Sequence, residues 1–368
     1  MIPTSFSSLI GNEPIKLYLQ RMLAKKAIGN SLLFAGQEGI GKGLFAYVLA
    51  AQLMSGQNGE RHRSKIEKGQ HPDIHVYRPE GKLGLHSIQS LRQLSEEVCL
   101  PPYEADWKVF IVHEAERMLT YSANALLKTF EEPPPRTVII LLSRSQAALL
   151  PTIVSRCRTL HFKPISQHDI EQALVQRTDL SGEAIQSIAG LAHGSLGRAL
   201  HLAHKGGDST RLHLLDTLSN LPLANYKALG AAVERIVEEI ESSRKQAEDA
   251  AKEELLKASG EYLSAVQQSS LEKEIEGFST LAFVQDAQAL FNQLLAWYRD
   301  LHLLQLTQNR SYLINLDYAE QLEQVVQKGD LMPIEKVQKA IDEAQLALQR
   351  STSLNICLEN LFLKLAWV

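Results

Sequence analysis

Cysteine is scarce in this chain: three thiols, Cys99, Cys157 and Cys357, in 368 residues. So few, and so far apart, they exclude a disulfide framework and fit a reducing compartment. Long apolar runs are missing too. No stretch approaches the ~20 residues that a membrane span requires, and the opening Met1-Ile2-Pro3-Thr4-Ser5-Phe6 lacks the basic and apolar segments of a secretory leader. The expectation is a cytoplasmic protein with no membrane partner. Positive charge is in no excess either. Lys and Arg number 38 against 42 Asp and Glu, a formal net charge of −4, so no global field drives the chain onto DNA. Internal repeats are also absent. What remains is an ordinary soluble composition, long enough for two or three domains.

The most informative stretch is Leu32-Leu33-Phe34-Ala35-Gly36-Gln37-Glu38-Gly39-Ile40-Gly41-Lys42-Gly43-Leu44. A short apolar strand runs into a glycine-rich turn and then into a helix, with the spacing of a P-loop. Glycines such as Gly36, Gly39 and Gly41 let consecutive N–H groups turn toward phosphate oxygens. The helix N-terminus adds partial positive charge, and Lys42 reaches the outer phosphates. ATP is therefore the candidate ligand. The next position should carry the hydroxyl that holds magnesium, and here it is Gly43. The second nucleotide motif follows the apolar strand Val109–Val112. There an Asp-Glu pair should hold the metal shell and orient water, but this chain has His113-Glu114. Imidazole is a poor ligand for Mg²⁺, which prefers oxygen. A phosphate cradle is kept while both metal handles are altered, so ATP binding is expected to be weak or absent.

Along the chain, residues 13–28 read as an amphipathic helix with Ile15, Leu17, Leu19, Met22 and Leu23 inward and Lys16 outward. Residues 55–72 are polar and aperiodic and read as an exposed loop. His62, His71 and His75 lie in or beside it, but without cysteines or a tight histidine pair they read as solvated, and no metal site is expected. Further strands are expected at 73–77, 138–142 and 159–162, with helices at 88–100 and 122–130. This alternation predicts an α/β fold with a parallel sheet covered on both faces. Lys163-Pro164-Ile165 reads as a linker. Ser166 and Ser181 then cap two short helices, and a third follows His193-Gly194-Ser195. After Gly206-Gly207 the chain reads as all-helical. It has a charge-rich, solvated stretch at 231–262, an apolar helix at 281–306 and an apolar final helix from Leu354 to Trp367. Cys157 reads as a small buried hydrophobe.

These motifs resemble the clamp-loader branch of the AAA+ superfamily. The matching stretches are Phe34–Lys42, His71–Glu80, Trp107–Met118, Leu126–Pro135, Leu149–Cys157 and Gly194–Leu200, in the expected order over residues 10 to 205. Pro151-Thr152-Ile153-Val154-Ser155-Arg156-Cys157 is the most specific of them. The resemblance implies a RecA-like ATPase-type domain (1–164), a helical lid (165–206) and a helical collar (207–368) for oligomerisation. It implies a five-membered ring with subunits of the delta and tau/gamma types, acting through the complex on a sliding clamp and primed DNA. It is closest to the branch's non-hydrolysing, rigid subunit, which lends an arginine to a neighbour's ATP. The matching residue is Arg156, while Arg198 matches the lid arginine that motors turn toward their own nucleotide and Glu114 belongs to the degenerate pocket. Many such subunits carry a four-cysteine zinc module after the P-loop. Here that interval holds only Cys99, so no zinc is expected from it. Two other readings stay open: an active ATP-hydrolysing motor of the same branch, and an initiator-type AAA+ protein that binds DNA directly.

Overall fold

The computed structural model describes residues 2–54, 59–205, 209–221, 225–259, 265–329, 331–350 and 352–366. The expected breaks at Gly206-Gly207 and the last residues, Trp367 and Val368, lie outside the described residues, as do 260–262 of the charge-rich stretch.

Five strands form one parallel sheet: β1 (Ser31–Ala35), β2 (Ile74–Tyr77), β3 (Lys108–Val112), β4 (Thr137–Ser143) and β5 (Arg158–His161), in the order β2-β3-β4-β1-β5. Helices α1 (Glu13–Ala24), α2 (Lys42–Leu53), α3 (Gly59–Glu67), α4 (Ile88–Val98), α5 (Thr120–Ala125), α6 (Leu127–Glu131) and α7 (Pro151–Val154) connect and cover it. Side chains alternate across a strand, and both faces here are buried. Phe34, Ile111 and Ile140 pack on one side with α1 and α2. Leu33, Phe110 and Ile139 pack on the other with α4, α5 and α6. The doubly covered sheet explains why these strands read as continuous apolar runs. The α/β reading of this part is correct.

Helices α8 (Gln167–Arg177), α9 (Gly182–Leu191) and α10 (Leu196–Lys205) follow. Ser166 and Ser181 cap the first two by accepting the N–H groups of Asp169 and Ala184. Ile170, Leu174, Ile188 and Leu202 from these helices join the same apolar cluster as α1 and α2.

The rest is helical: α11 (Ser209–Ser219), α12 (Tyr226–Ser259), α13 (Ala265–Thr307), α14 (Ala319–Lys328), α15 (Ile334–Gln349) and α16 (Leu354–Ala366). The chain divides into two compact units, Met1–Gly207 with Ala251–Phe278, and Asp208–Ala250 with Ser279–Val368. The second has its own core. In α13, Leu290, Leu294, Trp297, Leu301 and Leu304 are buried at alternating four- and three-residue steps, the spacing of one helix face.

The structure corrects four local expectations. The first helix ends at Ala24, not 28, because Lys26 takes a left-handed backbone. Within it Lys16 is buried and Leu17 is 52% exposed. The Lys16 ammonium donates to the Leu9 carbonyl at 2.7 Å and pairs with Glu13, which makes burial tolerable. The helix expected at 122–130 is two short helices meeting at Leu126. Residues 59–67 of the expected loop are the helix α3, and His62 and His71 are buried, 7% and 4% exposed, rather than solvated. Finally, the charge-rich stretch is not solvated throughout: Ile236 and Ile240 of α12 lie in the second core.

Candidate nucleotide site

The glycine turn leaves the end of β1 and enters α2, whose N-cap is Gly41. In an open α/β sheet this carboxyl edge is where ligands are held. Gly36 is tied into the sheet, its N–H donating to the Ser143 carbonyl at 3.1 Å. Gly39 has φ +72° and sits against the start of α10. The Gly197 N–H donates to the Gly39 carbonyl at 2.9 Å, and a Cβ on Gly39 would collide with Ser195 Oγ. Gln37 Nε2 also reaches the His193 carbonyl at 3.3 Å. The turn is thus held down from the α10 side by backbone contacts that only a glycine permits.

Lys42 is 8% exposed and points back into its own loop, donating to the Gly36 carbonyl at 2.5 Å and the Gln37 carbonyl at 2.6 Å. Burial lowers its pKa, opposed by Glu38, Glu116 and Glu114. A phosphate entering here must displace two charge-assisted hydrogen bonds.

The metal side of the pocket is filled by an imidazole. His113 extends β3 by one residue, its N–H donating to the Tyr77 carbonyl at 2.9 Å, while its own carbonyl accepts from His86 Nε2 at 2.7 Å. Its ring lies over the first turn of α2. A Cβ added to Gly43 would stand 3.3 Å from His113 Cε1 and 3.8 Å from Leu142 Cδ1. The two departures noted in the sequence, 70 positions apart, are therefore one packing arrangement: the missing side chain at 43 makes room for the ring at 113. Burial first, then the nearby cations Arg78 and Lys42, holds the His113 pKa well below its usual value, so the ring is neutral at physiological pH. Its Nε2 is enclosed and has no hydrogen-bond partner among the described residues.

Glu114 takes a left-handed backbone, φ 46°, and its Oε2 accepts from Arg117 Nε at 2.7 Å. Burial and the neighbouring Glu38 push its pKa up to about 7. Glu116 accepts from the backbone N–H and Nε of Arg144 at 3.3 and 3.2 Å. One oxygen of each of these two carboxylates is thus taken by an arginine, while Glu116 Oε2 is enclosed with no hydrogen-bond partner among the described residues.

Of the other expected site residues, Arg198 lies in the first turn of α10, next to Gly197, and its N–H is capped by Ser195 Oγ at 3.2 Å. Arg156 belongs elsewhere, just past α7. Its Nε donates to Glu131 Oε2 at 2.9 Å and its Nη1 to the Thr152 carbonyl at 3.1 Å, with the side chain 31% exposed. Neither bond uses Nη2. Cys157 is pushed up to about 12 by burial alone, an inert thiol. No sequence signal marks Glu131 as the partner of Arg156, or His86 as the donor to His113. Both lie far from their partners in the chain.

The family model described as DNA polymerase III, delta subunit, matches residues 11–166. Residues 11–166 are thus similar to the DNA polymerase III delta-subunit family. The chain is 33% identical over 181 residues to the DNA polymerase III subunit delta' of Bacillus subtilis, covering 48% of this chain and 54% of that protein. It is 29% identical over 213 residues to the Escherichia coli delta' subunit, covering 55% of this chain and 64% of that one. The E. coli subunit tau is similar too, 30% identical over 219 residues, covering 54% of this chain and 32% of tau. The chain thus spans about half of the B. subtilis relative and a third of tau. Among solved structures, a gamma subunit-related protein of Thermotoga maritima aligns with 94% of this chain and 97% of its own, at 18% identity and a TM-score of 0.42. By sequence, the chain is thus similar to DNA polymerase III subunits of the delta' and gamma/tau kinds. No described helix is long and apolar enough to cross a membrane.

Proposed function

We propose that this protein is a non-hydrolysing, delta'-type subunit of a replicative clamp loader, which lends Arg156 to the ATP of a neighbouring subunit. The observation that carries the reading is the filled magnesium seat, with the His113 ring 3.3 Å from where a Gly43 side chain would begin. Without a hydroxyl at 43 and a carboxylate at 113, no protein oxygen from those two positions holds Mg²⁺ between β- and γ-phosphates. Glu114, paired with Arg117, is not presented as a free base toward water.

Arg156 supplies the remaining chemistry. A guanidinium that meets a transferring phosphoryl group in trans neutralises charge that grows in the transition state, an effect worth orders of magnitude in rate. The cis bonds to Glu131 and Thr152 hold its Nε and Nη1 and leave Nη2 to act. The partners in this reading are delta and tau/gamma subunits in a five-membered ring, with sliding clamp and primed DNA reached through the complex. The regions 1–164, 165–206 and 207–368 act as ATPase-like scaffold, lid and collar.

The relatives of the tau kind favour a second reading, an active motor. Turnover by the purified chain separates the two. The proposal expects no Mg²⁺-dependent ATP hydrolysis above background. Steady turnover that is lost in Lys42→Ala selects the motor.

A further inference from the structure

We propose that His62, His71 and Glu104 form a binding site for a divalent cation of the zinc class. His62 lies on α3, His71 in the turn before β2, and Glu104 in the segment between α4 and β3. One ligand atom from each residue lies within 4.8 Å of the other two. His62 Nδ1 stands 2.8 Å from His71 Nε2, and Glu104 Oε1 stands 3.6 Å from His71 Nε2 and 3.9 Å from His62 Nδ1. A tetrahedral zinc centre with arms of about 2.0–2.1 Å has edges of roughly 3.3–3.4 Å. The three separations bracket that value. Two imidazoles and one carboxylate suit zinc and leave a fourth position for water, whereas Mg²⁺ and Ca²⁺ prefer all-oxygen shells.

The ligands are held before any cation arrives. Asp73, fully buried, accepts the N–H groups of Tyr103, Glu104 and Ala105 at 2.5, 2.9 and 2.8 Å. Asp73, itself two residues from His71, therefore fixes the backbone at Glu104. Ile66, one turn after His62, is buried in the core and fixes α3. A site set by its surroundings spends little on ordering its ligands.

Two groups compete with the cation. Lys65 Nζ is 2.6 Å from both Glu104 oxygens, and the Asp73 N–H donates to His71 Nδ1 at 3.1 Å. Without metal, that amide keeps the His71 proton on Nε2, from where it is donated to His62 Nδ1. Coordination at Nε2 moves this proton to Nδ1, which gives up the Asp73 N–H bond, and sends the Lys65 ammonium, 33% exposed, out to water. No net proton is released by the ring. The costs predict micromolar affinity, weaker than a four-cysteine structural site. In the sequence these histidines have neither cysteines beside them nor the spacing of a tight pair. Only the fold of α3 and the turn after it brings them together.

The test uses the full chain after metal stripping. Zn²⁺ is titrated against a chromophoric chelator, and Co²⁺ is added separately and read by its visible absorption. The expected result is one bound equivalent at micromolar concentration, with the absorption of a tetrahedral nitrogen–oxygen site. His71→Ala and Glu104→Gln should each weaken binding at least tenfold. His168→Ala, an exposed histidine on α8, should leave it unchanged. If His71→Ala does not fold, His62→Gln takes its place, with the circular dichroism spectrum as the control. No stoichiometric binding up to about 100 µM, or equal affinity in the ligand variants, leaves a hydrogen-bonded histidine pair and overturns the proposal.

Discussion

Gly43 lacks a side chain, and the edge of the His113 ring stands 3.3 Å from where one would begin, a tight contact for a Cβ. Overfilling a packed position costs on the order of 1–3 kcal/mol. Gly43→Thr alone should therefore destabilise the chain by about 1–2 kcal/mol, and the same change with His113→Asp should not add to the single effects. Chemical denaturation of the four proteins in that cycle measures the coupling. The double variant should also gain Mg²⁺-dependent ATP binding that neither single variant shows, read by nucleotide fluorescence. Glu114 offers a second residue-level test. Burial pushes its carboxyl up to about 7, above the ordinary glutamate value, so between those two pH values the folded state holds a proton that the unfolded chain has released. Its cost is absent below about pH 4.5, grows as pH rises, and is complete above pH 7. Glu114→Gln should match the parent near pH 4.5 and be more stable by about 1–2 kcal/mol at pH 8, less than the full shift because Arg117 loses a charged partner. Melting temperatures at the two pH values decide it. These residues were visible in the sequence as anomalies. Their contact was not, because nothing in the chain between 43 and 113 reveals which positions face each other across the sheet edge.

At the scale of elements, the strands were the most legible. Apolar runs such as Val109–Val112 and Val138–Leu142 are buried on both faces, so composition and length alone mark them. Ser166 and Ser181 announced their helices through capping chemistry. Helix α3 was hidden because its only buried apolar anchor is Ile66 and its other buried residue is His62. With no apolar stripe, there is no period to read. The helical character of α12 and α13 was legible, but which core each part of them joins was not. Residues 251–278 belong to the first unit, where the Gly81 N–H donates to the Lys273 carbonyl at 2.9 Å and Gly277 lies against the backbone of Pro79 and Glu80. A charge-rich stretch gives no sign of such a backbone-to-backbone dock. The contact between the glycine turn and α10 is the most testable of these features. Gly39→Ala places a side chain at φ +72° and against Ser195, which should cost about 2 kcal/mol or more. Gly41→Ala, with φ +91° and open space around it, should cost less. The difference in denaturant midpoint isolates the α10 contact from backbone strain.

At the scale of the whole molecule, composition excluded much and identified little. Low cysteine, balanced charge and ordinary hydrophobic content are shared by countless soluble proteins. The resemblance became legible only where motifs cluster, and the match to the delta-subunit family model ends at residue 166. Beyond it, burial is satisfied by many helical sequences, so the second unit left no motif. Its core is carried by residues such as Trp297, Phe291 and Phe362. The central claim, that this chain's chemical contribution is a cation lent to a neighbour, is tested most directly by Arg156→Ala. The measurement is the DNA-stimulated ATPase rate of the assembled loader with this single change, after showing that the variant chain folds and enters the ring. The account predicts normal assembly and a fall of at least tenfold at the site this subunit faces, consistent with the scale of arginine fingers elsewhere. An assembled ring that hydrolyses ATP at the parent rate would contradict it.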